Sequence, residues 1–205
     1  MLLPLSEQLK QATSPYHREL DKLPVLKNMM STSLSARQYE AAMLYFYQCF
    51  NAWQPTLDAA VQLLTPPAFS IIDNQISALS TETASFNYQF KSTISVPKPI
   101  ITSVDEYLGY SYVLTGAQLG ARFILKKLQK SALAEHYGFN YYANVSQNTI
   151  DINHWKINLD KLVKQGNCEP QAVIDAAITC FTQLITWFDQ EAKISSKKRL
   201  SLIQS

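Results

Sequence analysis

Apolar residues recur at spacings of three and four in one segment after another, which is the period of a helix face. Leu9, Ala12, Tyr16, Leu20 and Leu23 make one such stripe, and Tyr39, Ala42, Met43, Phe46, Tyr47, Phe50 and Trp53 make a broader one. A third runs from Val104 to Leu128. Start signals agree with the stripes: Ser35 with Gln38 and Ser103 with Glu106 fit capping boxes. Asp151 is placed to cap a helix through Trp155, Leu159 and Leu162 that Gly166 closes, and Pro170 opens a last amphipathic helix to about Ala192. A further helix is predicted over 69–79. The expectation is an all-α helical bundle in a single domain spanning 1–205, with an ordered core over about 5–193 and a short basic, solvated tail over 194–205.

Prolines and polar runs punctuate this pattern. Pro15 and Pro55 are expected to bend their helices, Thr65-Pro66-Pro67 to end the second, and Val96 to Pro99 to be an extended connector. Residues 80–95 read as irregular loop, although Phe86, Tyr88 and Phe90 alternate as a strand would. Gly138 and the Asn- and Tyr-rich run to Gln147 read as another loop.

Within the first stripe His17 stands at the margin, where it can look inward. A neutral imidazole is a good iron ligand, and its second nitrogen needs an acceptor to fix the tautomer. Asp21, four residues on, can supply it, and Lys10 lies two turns back on the same face, roughly 10 Å away at ~1.5 Å per residue. A core histidine bonded to a neighbour is the alternative. His136 and His154 adjoin turn and helix-start positions and are read as surface or capping residues.

In the third stripe Gly116 and Gly120 fall on one face, each costing ~1 kcal/mol relative to alanine in mid-helix. Either a flat ligand lies against bare backbone there, or another helix packs closely through small residues.

The N-terminal pattern Leu9-Lys10-x-Ala12-Thr13-x-x-x-His17, the segment Tyr112-Val-Leu-Thr-Gly116-Ala-Gln-Leu-Gly120-Ala121, and Tyr137-Gly138 leading to Trp155 resemble successive blocks of the bacterial, biliverdin-producing heme oxygenases. The resemblance runs from about Leu5 to Lys193. It implies a heme-oxygenase-like bundle with heme, both substrate and cofactor, between the first helix and a kinked distal helix. His17 would be the proximal iron ligand with Asp21 behind it, Gly116 and Gly120 would belong to the distal helix, and Lys10 would meet a propionate. Lys156 or Lys161 would be a second propionate contact. Tyr112 would close the pocket or join the distal waters. The implied reaction opens heme to biliverdin, carbon monoxide and ferrous iron, using O2 and an external electron donor such as a ferredoxin or flavin reductase. Two positions depart from the pattern. Many family members carry an aspartate directly after the first distal glycine, where this chain has Ala117, so Gln118 or water alone would organise the oxygen side. Ala121 stands where the mammalian type has a third glycine. A non-catalytic heme or bilin carrier, the thiamine-degrading branch of the same architecture, and a purely structural bundle are the other readings.

Composition narrows the field further. A net charge of +2 is too small to imply nucleic acid. No apolar run approaches ~20 residues and Met-Leu-Leu-Pro lacks a basic leader, so no membrane span and a cytoplasmic location are expected. Three cysteines, Cys49, Cys168 and Cys180, show no metal spacing; Cys49 and Cys180 lie in apolar periodic segments and read as buried thiols. Gly-rich phosphate loops and nucleophile elbows are lacking, which disfavours phosphoryl transfer and serine hydrolysis.

Overall fold

The computed structural model describes residues 3–62, 73–86, 95–147 and 152–203. Among them lie eight α-helices and one 3-10 turn, with no strand: α1 Leu5–Lys22, α2 Pro24–Met29, α3 Ala36–Val61, α4 Asp73–Ala84, α5 Val104–Leu128, the turn Ala132–Glu135, α6 Asn140–Gln147, α7 Ile152–Lys164 and α8 Pro170–Ile203. The chain is therefore all-α, as its periodicity implies.

Both capping boxes form. Ser35 and Ser103 accept the N3 backbone N–H while Gln38 and Glu106 reach back to the cap residue. Hydrogen bonds from Thr102 and Ser103 hold the Glu106 carboxyl below its ordinary range. At the end of α7, Gly166 takes φ +69°, its N–H meets the Val163 carbonyl, and the Asn167 N–H reaches back to Leu162, the paired bonds of a Schellman cap.

Other helix starts are capped from a distance. The N-cap of α1 is Pro4, which offers no side-chain acceptor. Instead Asp160 of α7 accepts both the N–H and the hydroxyl of Ser6, each at 3.2 Å. Glu82 of α4 accepts the Tyr141 N–H at the start of α6, and Asp105 of α5 accepts the Glu169 N–H just ahead of α8. Each carboxylate satisfies an orphan donor and meets the positive end of a helix.

α5 and α8 are the most extensively packed pair. Asp105 meets Glu169, Gly109 meets Val173 to Ala177, and Tyr110 donates to Gln183, so the two helices run side by side in one direction. Trp53, Trp155 and Trp187 are fully buried in the core they share with α1, α3 and α7.

α1 and α3 pass through Pro15 and Pro55 as continuous helices; both prolines are exposed, where the carbonyl freed by the missing N–H is solvated. Three local expectations need correction. α4 continues through residues 80–84, inside the stretch expected to be loop, because Leu79 and Glu82 bury there. The run after Gly138 is α6, not loop. Phe139, at φ +50°, turns the chain into it, and Tyr141, Tyr142 and Val145 bury their side chains. α8 extends to Ile203, so the expected tail is largely helical. Residues 95–100 are irregular, as the prolines require. Thr65 to Pro67, residues 69–72, Tyr88, Phe90 and Asp151 lie outside the described residues.

Candidate functional site

The first helix buries Leu5, Ser6, Leu9 and Thr13, whereas Ala12, Tyr16, Leu20 and Leu23 are only half-buried. Full burial on α1 thus ends at Thr13, and His17, one turn further along, has 63% of its side chain accessible. Its Nδ1 lies 2.9 Å from Oδ2 of Asp21. That pairing commits Nδ1 and leaves Nε2 without a protein partner among the described residues. The ring stands beside the buried Phe181 of α8, centroids 6.0 Å apart.

On α5, Gly109, Gly116 and Gly120 are spaced by seven and four and so share one face. At Gly109 this face is filled: a Cβ would stand 2.5 Å from the Val173 carbonyl oxygen and 2.6 Å from the Ala176 Cβ. At Gly116 and Gly120 a Cβ would meet nothing within 4 Å among the described residues. The close helix contact that small residues permit is therefore made by Gly109, while Gly116 and Gly120 look into open space. Spacing alone held a clue to Gly109, since it precedes Gly116 by one heptad.

Thr13 and Tyr112 join α1 to α5, their hydroxyls 3.5 Å apart. One turn further along each helix lie His17 and Gly116. The Tyr112 ring also meets Trp155 of α7 at 6.0 Å, and burial holds the Tyr112 phenol above its ordinary range. Beside the glycines, Leu119 and Phe123 are large apolar side chains left exposed, Phe123 by 69%. An exposed aromatic next to bare backbone suits an apolar, flat ligand.

The other expected residues are placed as follows. Lys10 is exposed and pairs loosely with Glu7 at 3.9 Å. Ala117 is exposed, whereas Gln118 is buried and, at about 200° around the helix from each glycine, points to the opposite side. Lys161 is exposed and Lys156 half-buried on α7. His136 is exposed and ends the 3-10 turn. Cys49 and Cys180 are buried, and burial pushes the half-buried Cys168 thiol up to about 11. Phe181, which meets the His17 ring from α8, carried no signal in the sequence, and Thr13 entered only as part of the N-terminal pattern, not as a contact.

The chain matches no protein-family model and no curated protein by sequence. No helix among the described residues is long and apolar enough to cross a membrane.

Proposed function

We propose that this chain is a heme oxygenase, which opens heme to biliverdin, carbon monoxide and ferrous iron with O2 and electrons from an external donor such as a ferredoxin or flavin reductase. The observation that carries the reading is the open space in front of Gly116 and Gly120, on a helix that touches α1 one turn before His17. Among the described residues no three His, Cys, Asp or Glu side chains gather as a metal cluster. A metal held through the single nitrogen of His17 would take its remaining ligands from its own macrocycle.

Heme supplies a redox-active iron that binds O2 and a ring that is itself oxidised. The protein's part is binding and orientation. His17 offers Nε2 as a neutral imidazole ligand, and Asp21 fixes the tautomer by accepting the Nδ1 proton. A neutral nitrogen ligand lacks the electron push with which a thiolate favours O–O cleavage. Gly116 and Gly120 admit a flat ring against bare backbone, and Leu119 and Phe123 offer it apolar surface. Lys10, held only loosely by Glu7, is free to turn to a ligand carboxylate. Tyr112 closes one end of the space through its contact with Thr13. Gln118, facing the interior, would act on the oxygen side only through intervening waters.

The test is a hemin titration followed by reductant in air, with the products separated by chromatography. Formation of a bilin supports the reading; failure of hemin to bind ends it. Ala117 favours a second reading, a heme or bilin carrier, because the glycine-bearing stretch lacks the carboxylate that many family members place there. A carrier would bind hemin and keep its spectrum through the same treatment.

A further inference from the structure

Away from the glycine helix, two tyrosines meet edge to face and each donates its phenol proton to a glutamate. The Tyr39 hydroxyl donates to Oε1 of Glu82 at 2.5 Å, and the Tyr137 hydroxyl donates to Oε1 of Glu40 at 2.8 Å. The two rings lie 5.0 Å apart at 67°. Tyr39 and Glu82 are buried, while Tyr137 and Glu40 are half-buried and reach the surface. Phe86 and Phe139 close around the pair, each meeting both tyrosines at centroid distances of 5.3–6.4 Å. Phe139 does so from a left-handed backbone conformation, φ +50°, which is costly for a bulky residue and is retained where surrounding structure enforces it.

Loss of an electron makes a phenol a strong acid, so a tyrosine is oxidised readily only where a base stands ready for its proton. A carboxylate at 2.5–2.8 Å is such a base. Glu82 is also anchored on its other oxygen by the Tyr141 N–H at 3.2 Å, which keeps it in place whether or not Oε1 carries the proton. Burial and the neighbouring carboxylates raise both phenols, Tyr137 to about 12, so each retains its proton at neutral pH and has it to give.

We propose that Tyr39 and Tyr137, each paired with its own glutamate, form a two-step redox relay that carries oxidising equivalents from the protein interior to the surface. In the first step a one-electron oxidant, such as a peroxide-derived species, takes an electron from Tyr39 as its O–H proton passes to Glu82. Tyr137 then gives an electron to the Tyr39 phenoxyl and its own proton to Glu40, while Glu82 returns the first proton to the Tyr39 oxygen. An external one-electron reductant such as a thiolate restores Tyr137, which recovers its proton from Glu40. Net, one electron moves from the external reductant to the oxidant and no proton is gained or lost. The relay stands on these contacts alone and does not require that the chain bind heme.

The test therefore uses the full chain without heme. A photo-generated ruthenium(III) polypyridyl complex supplies the oxidant, electron paramagnetic resonance detects tyrosyl radicals, and a nitroso spin trap followed by peptide mass spectrometry locates them. The expected result is that trapping concentrates on Tyr137, above the similarly half-buried Tyr16, Tyr47 and Tyr112. Tyr137→Phe together with Tyr39→Phe should remove most of the radical signal, although the other nine of the eleven tyrosines remain. Should Tyr39→Phe fail to fold because Glu82 loses its donor, the surface variant Glu40→Gln, which keeps the hydrogen-bonding shape but not the base, should by itself lower trapping at Tyr137. Trapping spread evenly over the half-buried tyrosines, and unchanged in Glu40→Gln, would overturn the relay.

Discussion

Gly109 of α5 and Val173 of α8 are in backbone contact so close that a Cβ on the glycine would stand 2.5 Å from the valine carbonyl oxygen. Gly109→Ala should therefore force the helices apart and destabilise the fold by ~1–3 kcal/mol, the usual cost of overpacking. Gly116→Ala and Gly120→Ala meet open space and should instead stabilise the ligand-free protein, by up to ~1 kcal/mol each through helix propensity. Urea unfolding midpoints of the three variants separate these outcomes, and destabilisation by all three would show that Gly116 and Gly120 also pack.

On the proposed function, the same open space is what heme needs. Gly120→Val should keep the fold yet crowd the ligand and lose bilin formation, read by hemin titration and product chromatography. Equal yield from the variant would mean that the glycines do not face the substrate.

His17→Ala removes the nitrogen ligand while leaving apolar and propionate contacts. The variant should still bind some hemin, lose the imidazole-ligated ferric spectrum and form no biliverdin, with added imidazole restoring part of the turnover. An unchanged spectrum would move the ligand to His136 or His154.

Ala117→Asp places a carboxylate on an exposed position and should leave turnover intact or raise it. Gln118→Ala should act differently because the side chain is buried and faces the interior: a loss of ~1 kcal/mol in stability, from removal of a buried polar side chain, with bilin yield little changed. Denaturation and product assays on both variants check the pair.

Alkaline pH should unfold the protein through its tyrosines. Burial is the main cause that raises the phenols of Tyr39, Tyr110, Tyr137, Tyr141 and Tyr142, with Glu40 adding to the rise at Tyr137, which reaches about 12. A raised folded value means that the unfolded chain releases these protons first. The stability is fully present below pH ~10, the unfolded tyrosine value, and is lost as pH climbs through the folded values. Circular dichroism and tyrosinate absorbance followed together should show the buried phenols ionising only as helicity is lost. Complete tyrosinate formation with helicity intact would show that burial does not hold these protons.

What could be read from the sequence was local. Ser35 with Gln38, Ser103 with Glu106, and Gly166 mark helix ends through bonds made within a few residues, and they fall where the chain itself places them. α6 was illegible because Asn140-Tyr-Tyr-Ala-Asn-Val-Ser-Gln has weak helix propensity. Its start is held by Glu82, 59 residues away. The two prolines leave their helices continuous, because whether a proline breaks a helix depends on which side faces water, and that is set by packing. The same limit applies at the glycine face: spacing gives Gly109, Gly116 and Gly120 one common direction, but only the path of α8 decides which of them touches a neighbour. For His17, the Asp21 partner followed from an interval of four, whereas the exposure of the ring depends on how far along α1 the neighbouring helices pack, which no local interval gives.

Asp160 grips Ser6 across 154 residues of sequence, and that separation sets an order of events during synthesis. When α1 leaves the ribosome its first turn has unsatisfied amides, and their acceptor is not yet made. Helices without tertiary support are marginal at this length, so α1 should flicker until α7 emerges and docks. The segment that bears His17 is thus translated well before the helix that fastens it. A nascent chain halted before α7 should leave that segment open to protease, while the α3 capping box is already closed.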